Sequence, residues 1–251
     1  MLQPRRTSRR TLGSLFLLPL TLAALGACSH PPTVDDIVAR HLAARGGADK
    51  LHALKSMRAT GSVDAGGGKV GRVTREIKRP GRIRLEFTYQ GMTGVYAHDG
   101  EHGWEVAPLQ GKFDPEPLPA ETAAAAVDQI DIEGPLVDWR AKGHQVELAG
   151  RETIAGKQAY KLKTTLKGGA IRYDYLDPDT FLLLRTDVAR AIRGHMTDLE
   201  TSFSDYKAVD GIQFPYGIVS QAKNRPQKMV ITVEKIELNP EIDEARFRMP
   251  Q

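Results

Sequence analysis

The segment RIRLEFTYQ, residues 82–90, alternates apolar and polar side chains with a period of two. Successive side chains of an extended strand point to opposite faces of a sheet, so this pattern gives one apolar face and one polar face. Such two-sided strands are typical of antiparallel sheets that bury one face and expose the other. The apolar face of this predicted strand carries Ile83, Leu85, Phe87 and Tyr89.

The same period of two recurs along most of the chain after residue 56, between turn signals such as Asp99-Gly100 and Asp210-Gly211. Strands joined by hairpin turns predict an antiparallel sheet. The regular alternation of strands with helices that is typical of a parallel sheet does not occur in this sequence. We expect roughly ten strands, and a sheet of that size curls. The predicted fold class is therefore mainly β with helices (α+β), a strongly curved antiparallel sheet or half-barrel.

Helices are predicted ahead of the sheet and once within it. Thr33 is a candidate N-cap, because two aspartates follow it in the first turn, where carboxylates suit the helix dipole. A Gly-Gly pair ends this helix, and residues 48–55 continue as a second, shorter one. Residues 108–143 interrupt the sheet with four prolines and then AETAAAAVDQI, which has high helix propensity. We expect a helical insertion there.

The first residues have the pattern of an export signal. Four arginines and no acid lie in residues 1–11, and residues 12–27 carry no charge. This apolar stretch is interrupted by Gly13 and Pro19 and is shorter than the ~20 apolar residues that a membrane-spanning helix needs. We assign residues 1–27 to a signal peptide.

Cys28, the only cysteine, directly follows this stretch. Leu25-Gly26-Ala27-Cys28 resembles the lipobox of bacterial lipoproteins, in which the cysteine is acylated after cleavage. The resemblance implies lipid attachment at Cys28, a lipidated tether over residues 28–32 and a single domain over residues 33–251. The alternative is a plain signal peptide followed by an incidental cysteine.

Two further details of the signal concern the route and the destination. Ser8-Arg9-Arg10-Thr11-Leu12 resembles a twin-arginine export motif, and an ordinary arginine-rich signal is the alternative. An aspartate after the lipidated cysteine is associated with retention in the inner membrane, and Ser29 stands there instead. We therefore expect a bacterial cell-envelope protein, lipid-anchored at the outer membrane and facing the periplasm.

Removal of the signal also changes the charge of the chain. The full sequence has 35 Lys and Arg against 31 Asp and Glu, and residues 1–27 contain four arginines and no acid. The mature chain is therefore formally neutral, with 31 basic and 31 acidic residues. No basic excess remains to attract nucleic acid, so we expect no nucleic-acid partner. With Cys28 acylated, a disulfide, a thiolate metal site and a cysteine nucleophile are excluded.

Several segments in order resemble one protein family. HLAARGGADKLHALKSMRATGSV, with its helix, Gly-Gly pair, second helix and first strand, resembles the opening of the outer-membrane lipoprotein-sorting proteins, the LolA/LolB-like group. Later segments carry the resemblance along the chain: HDGEHGW, GPLVDW, VELAGRETIAGKQAYKLK, YDYLDPDTFLLLR and FSDYKAVDGIQFP. The resemblance implies a curved half-barrel with helices as a lid over its concave face, which takes acyl chains of lipoproteins. The predicted lipid anchor makes this chain closer to the group's membrane-bound acceptor than to its soluble carrier.

A hydrophobic concavity of this kind would be lined by apolar side chains of alternating strands, although the same side chains can equally form an ordinary core. Tyrosine and tryptophan combine an apolar ring with a polar tip, which suits Tyr89 and Trp104 to its rim. The candidate hydrophobic ligand-binding residues are Ile83, Leu85, Phe87, Tyr89, Trp104, Leu162, Tyr173, Tyr175, Leu182 and Leu184.

No motif supports catalysis, a cofactor or a metal. His98 and His102 have the H-x-x-x-H spacing of zinc ligands, but that spacing places both on one face only in a helix, and Asp99-Gly100 predicts a hairpin turn. No nucleophile elbow, phosphate loop or calcium loop is found. We expect neither a cofactor nor a metal, and we do not expect an enzyme.

Two classes of function remain. One is a lipid-anchored envelope protein that binds acyl chains or lipoproteins in the concavity, in lipoprotein sorting or outer-membrane assembly. The other is a non-catalytic envelope scaffold or regulatory lipoprotein with a filled core and a protein partner.

Replacement of Cys28 with alanine tests the predicted anchor. Several acyl chains on Cys28 hold a protein firmly in a membrane, because each buried CH₂ contributes ~0.8 kcal/mol. We expect the wild type in the membrane fraction, and Cys28→Ala released from it or left uncleaved. Cell fractionation measures this, and recovery of the unmodified wild type from the soluble periplasm without detergent would contradict the anchor.

Overall fold

The computed structural model describes residues 31–68, 70–119, 130–192 and 195–250. The predicted signal peptide, Cys28 and most of the predicted helix of the insertion lie outside the described residues. None of the helices in the described ranges has the length and apolar character of a membrane-spanning helix.

The described chain is built almost entirely of strands. Two α-helices come first, α1 Val34–Ala44 and α2 Ala48–His52, and short 3-10 turns lie at Pro108–Gln110 and Glu244–Arg246. The strands are β1 Ser56–Asp64, β2 Val70–Lys78, β3 Arg82–Tyr89, β4 Met92–His98, β5 Gly103–Ala107, β6 Lys112–Pro117, β7 Gln145–Ile154, β8 Lys157–Thr165, β9 Ile171–Leu176, β10 Leu183–Ile192, β11 His195–Val209, β12 Ile212–Ala222 and β13 Lys228–Leu238.

All of these strands belong to one antiparallel sheet, in the order β6-β5-β4-β3-β2-β1-β13-β12-β11-β10-β9-β8-β7. The chain thus forms two meanders, β1 to β6 and β7 to β13, which are joined by the pairing of β1 with β13. The predicted antiparallel, mainly β fold is confirmed, but the described sheet has 13 strands in place of about ten. Strand β6 was not predicted, because it contains Pro115 and Pro117. It lies at the edge of the sheet, where proline is tolerated.

The sheet is strongly curved. Residues of β5 in one meander and of β9 in the other line a single cavity, although eight strands separate β5 from β9 in the sheet order. Only a sheet that bends back on itself brings such distant strands together. We call the face that surrounds this cavity the concave face and the other the convex face.

Helix α1 packs on the concave face. Thr33 caps it: its hydroxyl accepts a hydrogen bond from the Asp36 amide, and the Asp36 carboxylate accepts from the Thr33 amide at 2.9 Å. The buried side of the helix carries Ile37 and Val38, which pack on side chains of β7, β8 and β9 that include Leu162.

Helix α2 and the segment that follows residue 130 fill the adjoining part of the concave face. Leu51 and Leu54 form one core with Ile77 and Ile83 of β2 and β3, together with Ile132 and other residues. None of the residues that line the main cavity comes from α1 or α2. The predicted lid is therefore corrected: these helices fill one end of the concavity, because their apolar faces need the sheet to be buried.

The convex face of β1 to β5 is covered by the end of the chain. Trp104 donates a hydrogen bond from its indole nitrogen to the carbonyl oxygen of Phe247 at 2.7 Å, and both side chains are buried. Arg246 bridges Glu76 at 2.8 Å and Glu86 at 3.3 Å. The end of the chain thus buries Trp104 on the convex side of the first meander.

Gly61 tests how closely the two meanders approach. It lies in β1 beside a register shift of the β1–β13 pairing, and an added Cβ would lie 3.0 Å from the Val233 Cα and much closer to the Thr232 carbonyl oxygen. We expect Gly61→Ala to destabilise the protein by about 1–3 kcal/mol, as overpacking does. Chemical denaturation measures this. Gly168→Ala is the control, because a Cβ there meets nothing within 4 Å; equal stabilities of the two variants would contradict the close approach.

Candidate functional site

The main cavity of the described structure has a volume of about 660 Å³ and lies between the two meanders. Side chains of β1 to β5 form one wall, and side chains of β9 to β13 form the other. Its size falls in the range of ~300–1,000 Å³ that is usual for small-molecule sites. The cavity is thus large enough to hold a ligand.

Most of the cavity wall is apolar. In the first meander the lining includes Val73, Leu85 and Phe87, and in the second it includes Phe203 and Ile218. The strand registers explain why these residues meet: Val73 pairs with Phe87 across β2 and β3, and Phe203 pairs with Ile218 across β11 and β12. Directly paired residues share a face, so each pair turns both side chains toward the cavity.

The outer end of the cavity is apolar as well. Leu109 of the Pro108–Gln110 turn and Met229 at the start of β13 both line it, and they are 52% and 42% exposed. Solvent-exposed apolar side chains that border an apolar cavity mark its mouth.

The inner end, toward the helices, is polar. Arg75 of β2 and Arg172 of β9 line the main cavity and also a smaller adjoining cavity of about 230 Å³. This second cavity is bordered by His41, Arg45 and Tyr206 among others. Two guanidinium groups thus lie where the two cavities meet.

Arg172 belongs to a buried polar cluster. Its Nε donates to Asp174 Oδ2 at 3.0 Å, and its Nη2 donates to Thr186 Oγ1 at 3.3 Å. Thr186 in turn donates to Asp174 at 2.9 Å. Asp174 is only 1% exposed, so its charge is compensated by these contacts rather than by water.

On the helix side, His41 is buried and Tyr206 is half-buried, and both are neutral at neutral pH. Burial is the main cause that lowers the pKa of His41 to about 4, and its Nδ1 donates to the Phe181 carbonyl oxygen at 2.8 Å. Burial also raises the pKa of Tyr206, whose hydroxyl donates to the Leu183 carbonyl oxygen at 2.8 Å. Neither group has a pKa near 7, which a general base at neutral pH would need.

Four of the predicted site residues lie on strand β3, and the structure places them in different surroundings. Leu85 and Phe87 line the cavity. Tyr89 lies farther out on the same face and stacks on Phe87, with ring centroids 6.4 Å apart. Ile83 is completely buried in the core under α2. Leu162 of β8 is likewise completely buried, under α1.

The other predicted site residues lie outside the cavity. Trp104 is on the convex face under the end of the chain, where it bonds Phe247. Tyr173, Tyr175 and Leu184 are also convex, packed with Ile154 and Ala159. Leu182 lies in the turn between β9 and β10. The prediction that these residues share a concavity with Leu85 is corrected by the sheet geometry.

The physical reason for the correction lies in β9 and in a bulge. In β9 the apolar face, with Tyr173 and Tyr175, is the convex one, and the polar residues Arg172 and Asp174 point to the concave side. The register between β9 and β10 shifts between Leu183 and Arg185. As a result Leu183 lies on the concave side, whereas the predicted residues Leu182 and Leu184 do not line the cavity. The alternation of apolar and polar residues alone therefore assigned Tyr173 and Tyr175 to the wrong face of the sheet.

Sequence reasoning missed the cavity residues of the second meander. In β11 the residues Leu199, Thr201 and Phe203 alternate with charged and polar neighbours, and all three line the cavity. The alternation was present in the sequence, but a hydroxyl in the middle made the strand look mostly polar. The two arginines at the inner end carried no recognisable signal.

The two histidines of the predicted hairpin do lie at a turn. His98 accepts a hydrogen bond at Nδ1 from the Gly100 amide at 3.0 Å, and Asp99 accepts from the His102 amide at 2.8 Å. Among the described residues, no group of three or more His, Cys, Asp and Glu side chains is placed to hold a metal ion.

The sequence matches no protein-family model and no curated protein. Solved structures match it over most of their length. A DUF1329 family protein from Desulfovibrio piger has a TM-score of 0.56 at 14% identity, and the match covers 87% of this chain and 98% of that one. A LolA superfamily protein from Nitrosomonas europaea also has a TM-score of 0.56, at 12% identity and with the same two coverages.

A third structure, a domain from Vibrio parahaemolyticus named for outer-membrane lipoprotein sorting, has a TM-score of 0.51 at 12% identity. The match covers 84% of this chain and 94% of that one. At these identities the likeness concerns the fold. This chain has a LolA-like fold, as the sequence resemblance predicted, and that prediction is confirmed.

The buried histidine gives stability a defined pH dependence. The unfolded chain protonates His41 near pH 6.5, whereas the folded chain does so only near pH 4, so unfolding takes up a proton between these values. Its contribution to stability is complete above about pH 6.5 and is lost as the pH falls, by at most ~1.4 kcal/mol per pH unit. We expect His41→Gln, which keeps a donor for Phe181, to lose less stability between pH 7 and pH 5 than the wild type.

Urea unfolding at the two pH values measures this difference. His102→Gln, at the exposed hairpin tip, serves as the control and should lose as much stability as the wild type. If His41→Gln and the wild type lose equal amounts, His41 does not change protonation on unfolding in this range.

Proposed function

We propose that this chain, with its LolA-like fold, is a lipid-anchored protein of the bacterial cell envelope that binds the acyl chain of a lipid or lipoprotein between its two meanders. The observation that carries the proposal is the cavity of about 660 Å³ with an apolar wall and an apolar mouth. A role in lipoprotein sorting or outer-membrane assembly at the periplasmic side of the outer membrane fits the predicted signal and Cys28. The activity we propose is binding, without catalysis.

The driving force would be burial of hydrocarbon. Each buried CH₂ contributes ~0.8 kcal/mol, so a chain with ~10 buried methylenes gains about 8 kcal/mol before the cost of association. Burial of apolar area is not directional, and it needs no specific partner for each methylene. The apolar wall should therefore accept chains of different length with affinities that rise with the buried length.

An envelope scaffold with a protein partner is the alternative. The observation in its favour is that the helix end of the concave face is filled by the chain's own side chains, including Leu51, Ile77 and Ile83. A scaffold needs a rigid core and no empty cavity. The two proposals therefore differ in whether the space beside Leu85 is available to a ligand.

Replacement of Leu85 with tryptophan tests this. If the space is a ligand site, Leu85→Trp should fill it, weaken the binding of a fluorescent fatty acid by about tenfold or more and change stability little. Ile83→Trp is the matched control on the same strand and face, because Ile83 is completely buried in the core. It should destabilise by about 1–3 kcal/mol through overpacking.

Fluorescence titration and thermal melting measure the two effects. The acyl-binding proposal fails if the wild type binds no acyl probe at micromolar concentration. It also fails if Leu85→Trp melts as early as Ile83→Trp, since the face beside Leu85 would then be packed core.

A further inference from the structure

Exposed apolar side chains collect at one end of the sheet. Nine large apolar side chains of the described chain are between 38% and 72% exposed. All but Leu148 and Met249 lie in the first three residues of a strand or in the turn before it. Besides Leu109 and Met229 of the cavity mouth, these are Val70, Phe113, Ile171, Met196 and Val230. A group of exposed apolar side chains of this kind marks an interaction surface.

The strand registers place these residues around the mouth. Asp64, the last residue of β1, pairs with Val70 of β2 and with Val230 of β13. Because the sheet is antiparallel throughout, β2, β4, β6, β7, β9, β11 and β13 all start at the end of the sheet where Leu109 and Met229 lie. We call this end the mouth end, and the end where the other strands start the far end.

The charged residues of the turns are divided between the two ends as well. The described turns of the mouth end, 65–68, 90–91, 108–111, 166–170 and 223–227, contain Lys167, Lys223 and Arg225 and no acidic residue. At the far end, the turns 79–81, 99–102, 155–156, 177–182 and 210–211, together with residues 239–243, contain seven acidic residues and one Lys or Arg. The turns of the mouth end are therefore basic, although the mature chain is formally neutral.

Three cations of the mouth end are available to an outside partner. Lys167, Arg225 and Lys228, the first residue of β13, are exposed. None of the three forms an ion pair with another described residue, whereas Lys223 bridges Asp187 at 3.2 Å. Basic and apolar groups thus occur together on the surface of the mouth end.

Helix α1 runs from the mouth end to the far end. Near its start, Asp35 bridges Arg140 at 2.8 Å, in the segment that leads into the mouth-end start of β7. After its last residue, the Arg45 carbonyl oxygen accepts a hydrogen bond from the Gln213 amide at 2.9 Å, beside the far-end turn 210–211. The first residues of the domain therefore lie on the side of the mouth end.

The predicted lipid anchor is tied closely to this side. Cys28 precedes Thr33, the cap of α1, by five residues, and an extended chain of five residues reaches at most ~18 Å. An acyl group on Cys28 would thus keep the start of α1 next to the membrane. This favours an orientation in which the mouth end, rather than the far end, faces the lipid.

We propose that the mouth end docks on a bilayer surface that contains anionic phospholipid, with its apolar side chains in the head-group region and Lys167, Arg225 and Lys228 facing lipid phosphates. This inference goes beyond acyl binding in the cavity, because it assigns a surface outside the cavity to a partner. Apolar burial together with attraction to anionic lipids is the combination that holds peripheral segments on membranes. In this orientation the cavity opens directly onto lipid.

A second copy of this chain fits the surface less well. Two mouth ends that faced each other would bring basic turns together, and like charges across an interface are unfavourable. A mouth end on a far end would match the charges of the turns. The described far-end turns, however, have no exposed large apolar side chain to cover Phe113 or Met196.

Binding of the unlipidated protein to vesicles is the first test. Residues 32–251 form one compact unit, so the mature chain with Cys28→Ala reports on the surface without the anchor. It should bind phosphatidylglycerol vesicles about tenfold or more tightly than phosphatidylcholine vesicles, and added salt should weaken this binding. Co-sedimentation measures both effects. Equal binding to the two kinds of vesicle, or binding to neither, would overturn the proposal.

Paired charge variants locate the contact. Arg225→Gln with Lys228→Gln should weaken binding to phosphatidylglycerol vesicles about tenfold or more. The matched control is Lys50→Gln with Lys55→Gln, which removes two exposed positive charges elsewhere, since Lys50 is in α2 and the Lys55 amide bonds Asn239 after β13. The control should bind as the wild type does. Equal losses in the two double variants would mean that net charge alone decides, which overturns the assigned surface.

A second pair of variants tests the apolar contribution. Phe113→Ser should weaken vesicle binding severalfold, because its side chain is 69% exposed at the mouth end and loses apolar burial in the head-group region. Met249→Ser, 44% exposed at the end of the chain, is the control and should bind normally. Both side chains are exposed, so thermal melting should show little change in either variant. Unchanged binding of Phe113→Ser would overturn the role of the apolar side chains.

Hydrogen exchange gives the orientation without a variant at this surface. Phosphatidylglycerol vesicles should slow amide exchange in the turns 166–170 and 223–227 and leave the far-end turns 99–102 and 210–211 unchanged. Slowing confined to the far end would overturn the orientation.

Failure of this inference is distinguishable from failure of the proposed function. A fluorescent fatty acid reports on the cavity in the absence of vesicles. If it binds while vesicles do not, acyl binding stands and the docking surface is overturned; the reverse result supports the surface and overturns the cavity function. Self-association at micromolar concentration that Phe113→Ser abolishes would assign the surface to a contact between copies and overturn the membrane assignment.

Discussion

The pairing of β1 with β13 is the contact on which the rest of the described structure depends. Each meander alone would end in an unpaired strand, and an open edge of that kind exposes a row of hydrogen-bonding groups. The pairing joins the first strand of one meander to the last strand of the other, so that the two meanders form one continuous sheet. It also places Val63 opposite Ile231, and both line the cavity. The cavity therefore exists only because the joint exists.

The joint also contributes to the curvature. The register of β1 against β13 shifts between Thr60 and Gly61, and a shift of this kind bends and twists a strand locally. At Gly61 the two backbones come so close that a Cβ would meet the partner strand's backbone. Gly61 has a backbone conformation that any residue could adopt, so the need for glycine comes from the short distance to the backbone of β13. The joint lies between the two walls of the cavity, which the two meanders supply.

Features that depend on neighbouring residues could be predicted from the sequence. The helix that starts after Thr33, the alternation along 82–89 and the turn after His98 each follow from short patterns, and the structure contains all three. Which face of a strand is concave depends on the whole sheet. For β9 the aromatic face turned out to be convex, because Tyr175 is covered on that side by a separate small core with Ile154. No pattern within β9 carries that information.

The division of the concave face into core and cavity could not be predicted for the same reason. Ile83 and Leu85 are two residues apart on one face of one strand, with similar side chains. Ile83 is completely buried because α2 reaches it, while Leu85 lies beyond the helix and borders the open space. The position of α2 is fixed by contacts with several strands, which are distant in the sequence. The sequence therefore predicts the row of apolar residues along β3. Tertiary packing determines which of them belong to the core and which border the cavity.

The polar inner end is the part of the concave face that stability alone does not explain. Replacing a buried ion pair with well-packed apolar side chains is often neutral or stabilising, so the pair Arg172–Asp174 adds little reason of its own to be there. The core under α1 and α2, on the same face, is built mainly of apolar side chains. An apolar filling was thus available to the same sheet. Charged side chains therefore mark the boundary between the packed core and the cavity on the concave face.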